Sequence, residues 1–197
     1  AINWILTDTC NFKCEYCFNK EQKHDSLEPI DIEKAIETLR KTKRKYIITL
    51  AGGEPFLIPN FIELCKALTR DYYVIIISNL SCTKKIEQFV KEISPERAFL
   101  HASFHVMELE RLKIPDFSKN YNLLKDNNFY VESDYVVYPP LLARFEQDIT
   151  YYRSKGVDLV PKEFMGYYKN EKYPDSYTEN DLKSIYNYGA DGKGYLK

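Results

Sequence analysis

The segment Cys10-Asn11-Phe12-Lys13-Cys14-Glu15-Tyr16-Cys17 places three cysteines within eight residues. Three thiolates this close together can hold one iron–sulfur cluster. A [4Fe–4S] cluster normally takes four cysteines, one for each iron, so three cysteines leave one iron with an open position. Because an open position on a metal can bind and activate a further ligand, the segment predicts a cluster that takes part in chemistry.

The position of the cysteines after a strand supports this interpretation. They follow residues 2–7, a short apolar run that predicts a β-strand. The segment Gly52-Gly53-Glu54-Pro55 follows a second such run, residues 46–50. In barrels of alternating strands and helices, the loops after the carboxyl ends of the strands carry the active site. We therefore expect the two segments to lie together.

The rest of the chain alternates apolar, β-branched runs with amphipathic stretches. Strands alternating with helices predict an α/β fold with a parallel sheet, which right-handed crossovers would curl into a partial barrel. The predicted strands are residues 2–7, 46–50, 72–78, 98–104, 129–137 and 157–163, and the predicted helices are residues 31–39, 61–68, 83–92, 116–127, 141–154 and 179–188. We expect a barrel domain over residues 1–164 and a Tyr-rich extension, residues 165–197, packed against it.

Composition narrows the class of protein. A chain of 197 residues fits one domain with a short appendage. The formal net charge of −1 gives no reason to expect nucleic acid or an anionic membrane as a partner. No apolar run approaches the ~20 residues of a membrane span. Five cysteines, three of them clustered, suit a reducing compartment, so we expect a cytoplasmic protein.

The two segments together resemble the signature of the radical S-adenosylmethionine (radical SAM) superfamily. That signature is Cys-x3-Cys-x-aromatic/aliphatic-Cys, with Gly-Gly-Glu-Pro at the end of the second strand. Cys10, Cys14 and Cys17 match its cysteines, Tyr16 matches the position before the last cysteine, and residues 52–55 match the second segment. The resemblance implies a (β/α)6 partial TIM barrel over nearly the whole chain.

The resemblance also implies an activity. Cys10, Cys14 and Cys17 would ligate three irons of a [4Fe–4S] cluster, and the fourth iron would take the amino and carboxylate groups of S-adenosylmethionine. The enzyme would cleave S-adenosylmethionine reductively to a 5′-deoxyadenosyl radical, and this radical would take hydrogen from an organic substrate. A flavodoxin- or ferredoxin-type protein would supply the electron. The substrate would be a peptide or a small sugar- or nucleotide-like molecule.

Further residues are assigned to S-adenosylmethionine by the same resemblance. The segment containing Gly52, Gly53 and Glu54 would grip the methionine amino group, and Tyr16 would lie near the adenine. Polar residues at the ends of the third and fourth predicted strands would contact the ribose and the carboxylate; they are Ser78, Asn79, Ser103 and His105. Val136 and Phe164 are weaker candidates for contact with the adenine.

Other interpretations remain open from the sequence. The cysteines could form an iron–sulfur or zinc module without cleavage chemistry, with His24 as a fourth zinc ligand. Cys65 lies on an apolar helix face and is expected to be buried and inert. His101 shares a strand face with Ser103, and Asp134 follows on the next predicted strand, so both are candidates for contact with substrate.

Overall fold

The structure is a computed structural model that describes residues 1–19, 27–114 and 117–190. His24, the fourth zinc ligand considered above, lies outside these ranges, as do the first residue of the predicted helix 116–127 and the last residues of the Tyr-rich extension. None of the helices within the described ranges is both long and apolar enough to cross a membrane.

Six parallel strands form one sheet in sequential order. Each strand pairs in parallel with the next one along the chain, and a helix occupies each connection. This arrangement confirms the predicted (β/α)6 partial barrel. The strands are β1 Ile2–Thr7, β2 Ile47–Gly52, β3 Tyr73–Ser78, β4 Ala98–Phe104, β5 Tyr130–Val137 and β6 Leu159–Glu163.

The helices agree with the sequence pattern except after the fourth and fifth strands. They are α1 Ile32–Lys41, α2 Phe61–Thr69, α3 Thr83–Glu92, α4 Val106–Leu112, α5 Phe117–Asp126, α6 Phe145–Ser154 and α7 Glu179–Ala190. The short helix α4 was not predicted. The helix predicted over residues 141–154 begins only at Phe145, because a 3-10 turn over Pro139–Leu141 precedes it. Two consecutive prolines, which lack backbone donors, favour that turn over an early helix start.

The core lies between the sheet and its helices. Alternate strand residues point to the helices and are fully buried, as Ile48, Leu50, Val74 and Ile76 are. The intervening residues, such as Ile75, point to the opposite, inner face of the sheet and are only partly buried. The inner face of the sheet is therefore accessible, and its side chains can contact a ligand.

The Tyr-rich extension packs near the end of β5. It forms a short antiparallel hairpin, β7 Gly166–Tyr168 and β8 Glu171–Tyr173, followed by α7. The hydroxyl of Tyr177 accepts a hydrogen bond from the Phe164 amide at 3.0 Å and donates one to the Val137 carbonyl. The sequence pattern did not predict the hairpin. The division into two domains at residue 164 stays a prediction.

Candidate functional site

A cavity of about 230 Å3 lies at the carboxyl ends of strands β1 to β5. Ten of the eleven residues assigned from the sequence to the cluster or to S-adenosylmethionine line it: Cys10, Cys14, Tyr16, Cys17, Gly52, Gly53, Ser78, Asn79, Ser103 and His105. Of the two weaker candidates, Val136 lines it as well, whereas Phe164 packs on Tyr138 and is not part of the lining. The remaining residue, Glu54, is buried and is not part of the lining.

The two glycines let the end of β2 touch the loop that follows β1. The Gly53 amide donates to the Thr7 carbonyl at 2.6 Å, and the Glu54 amide donates to the Thr9 carbonyl at 2.9 Å. Gly52 has φ +131, a conformation that other residues rarely adopt. A Cβ added at Gly53 would lie 2.0 Å from the Thr9 carbonyl oxygen. This close backbone contact brings the Gly-Gly segment next to the cysteines.

Glu54 ties the end of β2 to the end of β3. Its side chain is completely buried and accepts hydrogen bonds from the Phe56 amide at 3.1 Å, the Ser78 hydroxyl at 2.9 Å and the Asn79 amide at 2.8 Å. Burial raises the pKa of Glu54 to about 7, although these hydrogen bonds oppose the shift. The carboxylate thus has three partners inside the protein, and its predicted contact with the methionine amino group stays a prediction.

Two hydrogen bonds reach the sulfur of Cys10. The Phe12 amide donates to Sγ at 3.4 Å, and Nδ2 of Asn79 donates to Sγ at 3.7 Å. Burial raises the pKa of Cys10 to about 11 and raises the pKa of Cys14 still further. A thiol must lose its proton to bind a metal, so metal binding at these residues would release protons.

The donor set has the chemistry of an iron–sulfur site, since thiolates favour such clusters and hydrogen bonds to sulfur tune their potentials. Within the described ranges, no three His, Cys, Asp or Glu side chains are arranged to hold a single metal ion. A [4Fe–4S] cluster places a different demand on its ligands than a single ion does, because it takes one thiolate at each of several separate irons. Cys10, Cys14 and Cys17 fit that demand, since all three line one cavity.

An aromatic wall borders the cavity. The Tyr16 hydroxyl and Nδ1 of His105 are hydrogen-bonded at 3.0 Å, and the rings of Phe12 and Tyr138 pack against His105 and Tyr16, respectively. Burial lowers the pKa of His105 to about 4, so the imidazole is neutral at neutral pH. A neutral wall of this kind suits a flat, uncharged ring such as adenine.

A group of ionisable side chains lies on the inner face of β4, β5 and β6. Nε2 of His101 is 2.8 Å from Oδ2 of Asp134, and Nζ of Lys162 is 3.9 Å from Oδ1 of the same carboxylate. Nδ1 of His101 is 4.0 Å from Oε2 of Glu132. We call His101, Glu132, Asp134 and Lys162 the inner-face cluster. The strand pairing places Asp134 directly opposite Ser103, which lines the cavity.

The pairing of His101 with Asp134 predicts a pH-dependent stability. The hydrogen bond to Asp134 raises the pKa of His101 despite the opposing effects of burial and Lys162, and Glu132 adds to the rise. Stability from the protonated pair is therefore complete below the ordinary histidine pKa of about 6.5 and is lost as the pH rises through the folded-state pKa. We expect Asp134→Asn to lower the His101 pKa in an NMR titration, and to destabilise the protein more at about pH 5.5 than at about pH 8.5. An unchanged His101 pKa in this variant would contradict the assignment.

The sequence pattern missed the residues of α4 that contact the cysteine loop, residues 10–17. Glu108 accepts a hydrogen bond from the Lys13 amide at 2.7 Å and pairs with Arg111. The only local signal was an acidic residue followed by a basic one three positions later, a spacing typical of any exposed helix. The two other cysteines lie apart from the cavity lining: Cys65 is buried in α2, as expected, and Cys82 precedes α3 with Sγ 3.9 Å from the Ser81 hydroxyl.

Comparison with known proteins identifies the family. A model of the radical SAM superfamily matches residues 4–122, which is more than half of the chain. The chain therefore belongs to the radical SAM superfamily. Enzymes of this superfamily use a [4Fe–4S] cluster and S-adenosylmethionine, as the sequence resemblance implied.

Particular relatives differ in their reactions. The chain is 26% identical to the radical SAM cyclopropyl synthase TigE of Paramaledivibacter caminithermalis, over 97% of this chain and 47% of that protein. It is 32% identical to an S-adenosylmethionine-dependent nucleotide dehydratase of Fibrobacter sp., over 48% of this chain and 31% of that protein. The chain thus spans less than half the length of these curated relatives.

Solved structures share the fold at low sequence identity. Native anSMEcpe with bound AdoMet superimposes with a TM-score of 0.70 at 19% identity, over 96% of this chain and 60% of that one. Streptococcus suis SuiB bound to its precursor peptide SuiA superimposes with a TM-score of 0.69 at 15% identity, over 96% of this chain and 45% of that one. At these identities the likeness concerns the fold alone.

Proposed function

We propose that this chain is the core of a radical SAM enzyme that cleaves S-adenosylmethionine reductively and uses the resulting radical on an organic substrate. Cys10, Cys14 and Cys17 would hold the [4Fe–4S] cluster. The observation that carries the proposal is the convergence of these three cysteines with the Gly-Gly segment, Asn79, Ser103 and His105 on one cavity. Family membership supports the same activity.

The cluster, once bound and reduced, would supply one electron to the sulfonium of S-adenosylmethionine, breaking a C–S bond to give methionine and a 5′-deoxyadenosyl radical. The chain's own residues would prepare this step. The amide of Phe12 and the side chain of Asn79 direct hydrogen bonds at the Cys10 sulfur, which favours its thiolate form. The glycines at 52 and 53 keep side chains out of the space between the cysteines and β2.

S-adenosylmethionine would occupy the cavity, and the substrate would approach it along the inner face of the sheet. The aromatic wall of Tyr16 and His105 would border the adenine, and polar groups of Asn79 and Ser103 would meet the ribose and carboxylate. A substrate approaching along the inner face of the sheet would next meet the inner-face cluster, which includes His101, Asp134 and Lys162. We propose a peptide or a small sugar- or nucleotide-like molecule as substrate, a flavodoxin- or ferredoxin-type electron donor, and a reducing, cytoplasmic environment.

The test is formation of 5′-deoxyadenosine by anaerobically reconstituted protein given dithionite and S-adenosylmethionine. We expect product from the unmodified chain and only the reagent background from Cys14→Ala, because loss of one thiolate removes a cluster ligand. Cys65→Ala is the matched control, since Cys65 is fully buried in α2 and does not line the cavity. It should retain product formation.

Two results would contradict the proposed cleavage of S-adenosylmethionine. Protein that holds its iron and sulfide but forms no 5′-deoxyadenosine would refute the proposal and support a metal module without cleavage chemistry. Protein that binds one zinc ion in preference to iron and sulfide would do the same. Once product is found, candidate peptides and nucleotides that raise its rate would identify the class of substrate.

A further inference from the structure

Helix α4 and its N-cap residue, His105, contact the cysteine loop at two points. Oε2 of Glu108 accepts a hydrogen bond from the Lys13 amide at 2.7 Å, and Nδ1 of His105 bonds the Tyr16 hydroxyl at 3.0 Å. These two contacts lie on either side of Cys14 in the sequence. The part of the loop that carries the second and third cysteines is thus attached to a helix about a hundred residues away in the chain.

The carboxylate of Glu108 is held rigidly. Only 5% of the residue is exposed. Nε of Arg111 donates to Oε1 at 3.0 Å, and Nη2 of Arg111 donates to Oε2 at 2.5 Å. A guanidinium that binds both carboxylate oxygens fixes the plane of the carboxylate as well as its position. Oε2 therefore presents a defined acceptor to the backbone of the cysteine loop.

Neither capping of α4 nor its helix dipole accounts for the contact between the Glu108 carboxylate and the cysteine loop. An acid in the first helical turn commonly folds back to the amide of the capping residue. Here the side chain of the cap, His105, makes no capping hydrogen bond, and the Glu108 carboxylate accepts from the Lys13 amide in the cysteine loop. A carboxylate on the first turn is also favoured by the helix dipole, but that effect does not require burial against another loop.

We propose that Glu108, oriented by Arg111, is a positioning residue that fixes the backbone between Cys10 and Cys14 before any cluster binds. This inference rests on the proposed function, because it assumes that the cysteines bind the cluster. A loop ordered in advance loses less conformational entropy when it binds its ligand. Loss of the contact should therefore loosen the loop and speed cluster loss, while the fold of the barrel is retained.

Glu110 provides a matched control on the same helix. It is also a glutamate paired with an arginine, since Oε1 of Glu110 lies 2.7 Å from Nη2 of Arg144. Its side chain is 54% exposed, and the contacts of the cysteine loop described above do not involve it. Glu108→Ala and Glu110→Ala each remove one arginine pair from α4, but only the first removes the acceptor of the Lys13 amide.

The experiment combines two measurements. The first is amide hydrogen exchange of residues 10–17 in protein without metal. The second is the rate of iron release to a chelator from the reconstituted holoprotein. We expect Glu108→Ala to raise both rates about tenfold, the effect of losing one charge-assisted hydrogen bond. Glu110→Ala should match the unmodified protein in both rates. Glu108→Gln, which keeps an acceptor oxygen but loses the ion pair, should give intermediate rates.

The outcomes separate the possible failures. If Glu108→Ala and Glu110→Ala give equal exchange in the loop and equal iron release, Glu108 has no positioning role. A residue with a merely structural role would lower the melting temperature without localised exchange in residues 10–17, and this result would also overturn the inference. If Glu108→Ala does not fold, Glu108→Gln against Glu110→Gln decides. If the unmodified protein binds no cluster, the proposed function fails, whereas exchange in the metal-free protein still decides whether Glu108 orders the loop.

Discussion

Gly53→Ala should lower the iron loading of this chain and reduce its 5′-deoxyadenosine formation by about 100-fold. The added Cβ would lie 2.0 Å from the oxygen and 2.4 Å from the carbon of the Thr9 carbonyl, and 3.0 Å from the Cys10 amide nitrogen. These are backbone atoms, which cannot rotate away as a side chain would. The loop that carries Cys10 must therefore move by roughly 1 Å, a displacement that can cost a catalytic site about 100-fold in rate.

Iron content and product formation should be measured together on this variant. Gly156→Ala is a suitable control because Gly156 also has a positive φ, +81, but the atoms nearest to its new Cβ belong to the flexible side chain of Asn122, the closest at 3.0 Å. That variant should lose about 1 kcal/mol of stability and keep its iron and its activity. Wild-type iron content and activity in Gly53→Ala would show that the backbone contact is not needed.

Glu54→Ala should be among the most destabilising substitutions in the chain. It would leave the amides of Phe56 and Asn79 and the hydroxyl of Ser78 without their acceptor in a fully buried position. Each unsatisfied buried donor costs about 1–3 kcal/mol, so we expect a loss of about 3 kcal/mol or more. For a domain of this size the melting temperature should fall by about 6–12 °C.

Thermal unfolding of the metal-free protein measures this effect without any contribution from cofactors. Glu63→Ala, which removes an exposed glutamate from α2, should change the free energy of unfolding by no more than about 0.5 kcal/mol. A melting temperature for Glu54→Ala close to that of Glu63→Ala would contradict the structural role. Because Glu54→Ala destabilises the protein, loss of S-adenosylmethionine binding in this variant would report damage to the fold as well as any direct contact.

Much of the fold was accessible from the sequence because its signals are local. Alternation of buried and partly buried residues along β3 and β5 follows from the two-residue period of a strand. The side chain of Asp31 accepts from the Lys34 amide at the start of α1, as an acidic cap does. The predicted helix boundaries differed from the observed ones where the backbone preferences of particular residues opposed the hydrophobic pattern, as at Pro139 and Pro140 before α6.

The candidate site was predictable in membership but less so in detail. Glu54 was assigned to the segment that would grip the methionine amino group, but the sequence did not predict the hydrogen bonds that its buried carboxylate accepts from the end of β3. The direction of a side chain at a strand end depends on which neighbouring strand offers partners. The donors at Ser78 and Asn79 lie 24 and 25 residues further along the chain, and sequence spacing alone does not reveal such pairings.

The sequence by itself determined the family, the parallel sheet and the gathering of the cysteines with the Gly-Gly segment, because each depends on short motifs and on the rule that parallel strands end at one edge. Only the tertiary structure decided which side chains hold the site in place. Tyr16 meets His105 and Lys13 meets Glu108 across 89 and 95 residues of chain. Such contacts depend on the packing of α4 against the cysteine loop, which no local pattern encodes.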